Sequence, residues 1–222
     1  MRHSLCLLCL FVCMTGTSFG REVALSSAGR AASPVRAGER SVQQTAPQER
    51  LAYRRSFDVA AFEELVFECV NEERRRHGLR PFSRDAALWK AARAHSSDMA
   101  GRNFFSHDTP RGFFRKGRFG DRLRANGVVA PRMAENIAML PLVRSRAVLR
   151  RRDPGGQMIT EVQEDRLSYA ALAAWAVQQW MESPGHRKNI LSPALTTMGI
   201  GAAVGLRGQE EYVYLTQDFG GN

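Results

Sequence analysis

The apolar residues of the chain follow a helical period in two neighbouring segments. In residues 58–78, DVAAFEELVFECVNEERRRHG, they recur three and four positions apart, at Val59, Phe62, Val66, Cys69 and Val70. Residues 83–103, SRDAALWKAARAHSSDMAGRN, show a similar stripe at Leu88, Ala91, Ala92, His95 and Met99. Both segments are therefore predicted to be amphipathic helices, the first capped by Asp58 and the second by Ser83.

The C-terminal third predicts a buried helix followed by two paired strands. Residues 168–182, SYAALAAWAVQQWME, are apolar almost all round, as in a helix with no solvent-facing side. Pro184 and Gly185 predict its end, with His186 directly beyond the break. MGIGAAV and YVYLTQDFG, joined through GLRGQE, have the pattern of a β-hairpin. Because helices come first and paired strands last, the sequence predicts an α+β fold with an antiparallel sheet.

Two segments lack any such period. Residues 21–56 are small and polar, so they cannot bury enough surface to offset the entropy of ordering; they are predicted to be a disordered linker before a domain of residues 57–222. Residues 141–166 form a charged insertion with a turn at 153–156, predicted to be an exposed, mobile loop.

The first twenty residues have the pattern of a secretory signal peptide. A charged start precedes the apolar run LCLLCLFVCM, which is too short to span a bilayer, and the small residues Ser18 and Gly20 follow it. We expect cleavage after Gly20 and a mature chain that is secreted, periplasmic or held in the cell envelope, with no transmembrane span.

The cysteines limit how the mature chain is held together. A lipid anchor on Cys9 or Cys13 fits poorly, because a leucine and a valine precede them instead of a small residue. Loss of the signal peptide would leave Cys69 alone, so no intramolecular disulfide is expected. Its place in an apolar stripe predicts a buried, structural side chain.

The chain of 222 residues carries 32 Lys and Arg residues against 22 Asp and Glu residues, a formal net charge of +10. Such a balance favours contact with anionic surfaces, although a compositional preference for arginine explains it equally well. Because the arginines are spread along the chain, a nucleic-acid partner is not expected.

Three polar residues are candidates for chemistry. His107 follows the second predicted helix in FFSHDTP, Glu135 lies within the apolar segment MAENIAM, and His186 follows the Pro-Gly break. Two histidines and a carboxylate can bind a divalent metal ion and leave a position open for water. They can equally transfer protons without a metal. Their spacing alone does not decide between these hypotheses.

Four blocks of the sequence together resemble the CAP superfamily, also called SCP/PR-1-like, and its bacterial branch in particular. These blocks are NEERRRHGLRPFSRDAALWKAARAHSSDMAGRNFFSH, AENIA, WMESPGHRKNILSPALTTMGIGAAV and YVYLTQDFG, in the family's order. The resemblance implies a three-layer α-β-α sandwich with a central antiparallel sheet and a large cleft. The insertion at 141–166 is expected to lie beside that cleft.

The resemblance also implies a cleft set of two histidines and two glutamates. His107, Glu135 and His186 match three of its positions, and the histidines are the implied ligands of Zn²⁺ or another divalent cation. Glu182 is the candidate for the fourth position, although it lies one residue nearer to Trp180 than the family's spacing requires.

Other conspicuous residues have structural interpretations. His95 lies on the apolar stripe of its helix and is predicted to pack in the core. His77 precedes a helix-ending glycine, where a basic side chain interacts favourably with the helix dipole. Trp175 and Trp180 are expected in the core, and Tyr214 or Gln217 on the last strand is a candidate for bordering the cleft.

The family resemblance predicts the fold more directly than the activity. Three hypotheses remain at this point. The first is a binding module for a lipid or other hydrophobic envelope ligand, with a His/Glu cleft that can hold a metal ion. The second is a metal-dependent or His/Glu-based hydrolase. The third is a surface protein that acts on a host or on its own envelope.

Overall fold

A computed structural model describes residues 57–110 and 117–222 of the chain. The predicted signal peptide, its cleavage site and the linker at 21–56 lie outside these residues. The described residues contain five helices: α1 (Val59–Arg76), α2 (Ala86–Arg102), α3 (Phe119–Ala125), α4 (Tyr169–Glu182) and α5 (Pro184–Ile190). None of them is both long enough and apolar enough to cross a membrane.

The same residues contain six strands in two sheets. They are β1 (Ser83–Arg84), β2 (Arg132–Pro141), β3 (Val143–Arg152), β4 (Met158–Arg166), β5 (Thr197–Arg207) and β6 (Glu210–Gly221). The main sheet has the order β1-β5-β6-β2, and β3 and β4 pair with each other. The long strands of the main sheet are antiparallel, whereas the short β1 runs parallel to β5. The predicted β5–β6 hairpin and the antiparallel sheet are confirmed.

Glycines on one side of β5 let α2 pack directly against the sheet backbone. A Cβ atom on Gly199 would lie 2.2 Å from the backbone nitrogen of Trp89, and one on Gly201 would lie 2.1 Å from the carbonyl carbon of Ala92. The alternate β5 residues Ile200 and Ala202 belong to the core on the other face, together with residues of α1 and α4. Helices therefore cover both faces, and the predicted α+β, three-layer α-β-α sandwich is confirmed.

Two predicted helix boundaries differ from the structure. Asp58 caps α1 as expected, but α2 is capped by Asp85, whose Oδ1 accepts the Leu88 N–H at 2.8 Å. Ser83 lies in β1 instead, so that part of the prediction is wrong. Pro184 ends α4 but also begins α5, because proline lacks the N–H that a first helical turn leaves unpaired.

The charged insertion is a β-hairpin and not a loop. Residues Val143–Arg152 pair antiparallel with Met158–Arg166, and the turn between them falls where the sequence predicted it. The hairpin leaves the main sheet at the C-terminal end of β2, six residues beyond Glu135, a distance of about 20 Å along an extended strand. That this segment lies beside the cleft stays a prediction.

Candidate functional site

The site is built on β2, the edge strand of the main sheet. Successive strand residues point to opposite faces. Ile137 packs with Met99 of α2, whereas Ala138 belongs to the core that contains α1 and α4. Glu135 therefore points to the α2 face, and Asn136 points to the face covered by α1 and α4.

Glu135 is held by two cationic or hydrogen-bonding partners. Its Oε1 lies 2.8 Å from Nδ1 of His107, and its Oε2 accepts a hydrogen bond from the guanidinium of Arg122. The Glu135 side chain is 2% exposed, while that of His107 is 51% exposed. The structure thus brings His107 and Glu135 together across 28 residues of sequence, with the acid inside and the imidazole reaching solvent.

Arg122 is a member of this site that the sequence analysis missed. It lies on α3, is almost fully buried, and also donates through NH1 to the backbone carbonyl of His107 at 2.9 Å. Arg122 therefore fixes both Glu135 and the loop that carries His107. No signal in the sequence distinguished it from the other arginines of this basic chain.

His186 lies in the first turn of α5 and is held from the other face of β2. Asn136 donates to the backbone carbonyl of His186 at 3.2 Å and to Oε1 of Gln217 at 2.9 Å. Asn189 donates to Asn136 Oδ1 at 2.8 Å. The side-chain amides of Asn136, Asn189 and Gln217 form a network that holds α5 against β2. Gln217 lies inside the protein. Burial lowers the pKa of His186 and the neighbouring His107 lowers it further, which links the two imidazoles electrostatically.

Glu182 does not join this group. It is exposed near the C-terminal end of α4, and its Oε1 accepts a hydrogen bond from Gln178 at 2.8 Å. No hydrogen bond or ion pair connects it to His107, Glu135 or His186 in the part of the chain that the structure describes.

His95 supports the site from α2. It is fully buried, and its Nε2 lies 2.9 Å from the carbonyl of Ser106, the residue before His107. The carbonyl can only accept, so Nε2 carries the proton and the imidazole helps to position the His107 loop. Burial lowers the pKa of His95 to about 4, and the charge of Arg122 contributes to the shift.

Asp218 is a second residue that the sequence analysis missed. It lies directly opposite Glu135 in the β2–β6 register and is fully buried. Burial raises the pKa of Asp218 well above its usual range, and the charge of Glu135 raises it further. We expect Asp218 to hold a proton at neutral pH, because two ionised carboxylates in one buried place repel each other.

The unpartnered polar atoms of the described residues converge around Glu135. His95 Nδ1 and Arg122 Nε are buried there without a hydrogen-bond partner, and the buried oxygens of Asp218 have no partner apart from the hydrogen bond to Glu135 that a protonated Asp218 can donate. Buried polar groups without partners cost free energy, so they are rare in structural cores. Their concentration beside one carboxylate is typical of a site kept for binding or proton exchange.

An Asp218→Asn variant is expected to be more stable than the wild type at pH 7. Because the pKa of Asp218 is higher in the folded than in the unfolded chain, the unfolded chain releases this proton at a lower pH. The free energy of unfolding therefore decreases as the pH rises above about 4. Urea unfolding should therefore give a higher midpoint for the variant at pH 7 and a smaller difference at pH 4. The exposed Asp165→Asn change serves as the control. A lower midpoint at pH 7 would show that Asp218 is ionised and paired.

The Ser106 hydroxyl accepts the Asp108 N–H at 3.2 Å and makes no hydrogen bond to the His107 imidazole. Residues 57–110 and 117–222 contain no cluster of three or more His, Cys, Asp or Glu side chains arranged to hold a metal ion. A cavity of about 160 Å³, lined among others by Val128, Ala130 and Gly220, does not include His107, Glu135 or His186.

Comparison with known protein families agrees with this fold. The model of the CAP, or cysteine-rich secretory protein, family matches residues 67–219. The chain therefore belongs to the CAP family, as its sequence blocks predicted. It is a CAP/SCP-domain protein in which Cys69 is the one cysteine among the described residues.

Two curated relatives come from Bacillus subtilis. The uncharacterized protein YkwD is 34% identical over 143 residues, which cover 64% of this chain and 43% of YkwD. The uncharacterized membrane protein YlbC is 27% identical over 157 residues, which cover 71% of this chain and 34% of YlbC. The chain thus spans less than half the length of either relative.

Solved structures provide a further comparison. An outer surface protein from Borrelia burgdorferi aligns with a TM-score of 0.50 at 12% identity, covering 75% of this chain and 97% of that protein. An extracellular SCP-domain protein from Bacillus anthracis aligns with a TM-score of 0.48 at 28% identity, covering 73% of this chain and 41% of that one. The first of these supports the fold alone.

Proposed function

We propose that this chain is an extracytoplasmic binding protein whose His107 and His186 take a divalent cation, such as Zn²⁺, together with the polar end of a lipid or other envelope ligand. The observation that carries the proposal is the 2.8 Å contact between His107 Nδ1 and Glu135 Oε1. A carboxylate that accepts from one imidazole nitrogen orients the ring and leaves the other nitrogen available to a ligand.

The imidazoles of His107 and His186 can each offer a nitrogen lone pair to a metal ion. With Nδ1–H donated to Glu135, His107 presents Nε2 from a half-exposed ring. His186 has a pKa lowered by burial and by His107, which favours the neutral form that binds metal ions. Imidazole nitrogens suit Zn²⁺ by ligand type. His107 and His186 would hold such an ion, which would leave coordination positions for water or for an anionic oxygen of the ligand.

Binding is favoured over hydrolysis by the state of the other groups. Both oxygens of Glu135 are engaged, by His107 and by Arg122, so the carboxylate is poorly placed to accept a proton from water. Ser106 is not activated by a histidine. The 42% exposed side chain of Phe105, two residues before His107, supports an apolar portion in the ligand. The apolar leader at residues 1–20 supports a location outside the cytoplasm.

Zinc binding is expected to require both histidines. Calorimetric titration of metal-free protein with Zn²⁺ should show one site in the wild type and none in His107→Ala or His186→Ala. Thermal unfolding should change little in His186→Ala, whereas His107→Ala should remain folded with a lower melting temperature, because it leaves Oε1 of the buried Glu135 without its partner. His77→Ala is the matched control, since His77 is an exposed histidine at the end of α1. Equal heats from wild type and His186→Ala, or an equal loss in His77→Ala, would contradict the proposal.

A further inference from the structure

The β3–β4 hairpin exposes apolar side chains that the rest of the described fold does not cover. Val148, Met158 and Val162 are 57%, 52% and 42% exposed. The register pairs Val148 with Val162 and Arg152 with Met158, which places all three apolar side chains on one face of the hairpin. A two-stranded hairpin is marginally stable in water by itself, so an uncovered apolar face is a candidate contact surface.

The two faces of the hairpin differ in charge. The face with Val148 and Val162 also carries Arg150 and Arg152, and its acid, Glu164, is engaged by Arg146 and Arg166. The Arg150 side chain makes no hydrogen bond or ion pair with another described residue, while its backbone pairs with Thr160 in the hairpin. On the opposite face, Arg151 is paired with Glu161 at 2.5 Å. Both faces expose apolar side chains, since Leu149 on the opposite face is 47% exposed, so the faces differ in charge: the first keeps positive charge that no acid neutralises, while on the other Arg151 is paired with Glu161.

The base of the hairpin is tied to the main sheet. Arg146 NH1 lies 3.1 Å from Oε1 of Glu210, at the start of β6, and Arg166 NH1 donates to Glu211 at 3.1 Å. Leu142, just before β3, is buried in the main core. The hairpin is thus presented on a base that is fixed to the main sheet.

We propose that the face formed by Val148, Arg150, Arg152, Met158 and Val162 docks on a membrane surface that contains anionic lipids. Apolar side chains beside arginines are typical of elements that lie in the interfacial layer, where the apolar groups enter the acyl boundary and the arginines meet the headgroups. A purely polar anionic polymer would leave the valines and Met158 in water. If a second copy of the chain docked through the same face, the arginines of the two copies would lie against each other and repel.

The test compares two matched double variants of the full chain. Val148→Thr with Arg150→Gln alters the proposed face, and Leu149→Thr with Arg151→Gln makes the same chemical changes on the opposite face. Each pair removes one exposed apolar side chain and one positive charge. The two double variants share the rest of the chain. Vesicle binding through any other segment therefore contributes equally to both variants.

Binding would be measured by co-sedimentation with phosphatidylglycerol–phosphatidylcholine vesicles and with phosphatidylcholine vesicles. We expect the wild type to prefer the anionic vesicles, more so at low salt. The Val148/Arg150 variant should bind them about 30-fold more weakly, since losing one arginine near an anionic surface and one valine from the acyl boundary together removes about 2 kcal/mol, and 1.4 kcal/mol is a factor of ten. The Leu149/Arg151 variant should stay within about two-fold of the wild type. Should the first variant misfold by circular dichroism, Val162→Thr replaces it.

Three results would overturn the proposal. One is equal binding to both kinds of vesicle, and another is an equal loss in the two double variants. The third is concentration-dependent dimerisation that the Val148/Arg150 change abolishes, without vesicle binding, which would assign the face to a second copy. None of these results depends on zinc binding at His107 and His186, so the two proposals fail independently.

Discussion

A Glu135→Ala variant is expected to lose about 3–5 kcal/mol of unfolding free energy. The change leaves Arg122 as a buried positive charge without its carboxylate, and removing one partner of a buried ion pair typically costs this much. It also frees His107 Nδ1 and deprives the His107 loop of one of its contacts. The effect should be visible as a large fall in both the urea midpoint and the melting temperature.

A double-mutant cycle separates the ion pair from simple loss of packing. Glu135→Ala, Arg122→Ala and the double variant should be unfolded in urea under the same conditions. Because the partners share one interaction, the double variant should lose clearly less than the two single changes combined. Glu182→Ala is the control; this glutamate is exposed, so its removal should stay within about 0.5 kcal/mol. A Glu135→Ala loss below about 1 kcal/mol would mean that the pair contributes little.

The second large effect is expected from pH. The pKa of His95 falls from 6.5 to about 4 in the folded protein, mainly through burial and secondarily through Arg122. When the pKa of a histidine is lower in the folded than in the unfolded chain, its full contribution to stability is present at pH values above the unfolded pKa. For His95, this contribution is lost as the pH falls from about 6.5 to 4. Since one pKa unit corresponds to about 1.4 kcal/mol, the loss is about 3 kcal/mol.

The physical reason lies in the two ring nitrogens. Nε2 donates to the Ser106 carbonyl, and Nδ1 is buried without a partner. A second proton on Nδ1 would place an N–H without an acceptor, and a positive charge, near the guanidinium of Arg122. The nearby carboxylates of Glu135 and Asp98 oppose the shift but do not cancel it.

A His95→Gln variant tests this directly. Its side-chain amide can still donate toward Ser106 but does not titrate, so the decline in unfolding free energy between pH 6.5 and 4 should be smaller than in the wild type. Identical slopes for wild type and His95→Gln would show that His95 is not the group that limits acid stability.

The sequence by itself determined the elements whose side chains repeat with a single period. The stripes of α1 and α2, the apolar α4 and the β5–β6 hairpin could be read from spacing, because such elements bury one face whatever they pack against. The sequence also named His107, Glu135 and His186 as candidates and placed Glu135 in an apolar segment. The charged β3–β4 hairpin was read as a loop, because arginines and glutamates on both exposed faces hide the alternation of a strand.

Only the tertiary structure decided what surrounds Glu135. Arg122 looks like any other arginine in this chain, and Asp218 looks like a polar residue of an ordinary strand. Their importance arises from the β2–β6 register and from α3 closing over the edge strand, which bring groups far apart in sequence into one buried place. Spacing along the chain carries information about local periodicity alone. The burial and charge that shift a pKa come from neighbours that only the folded chain supplies.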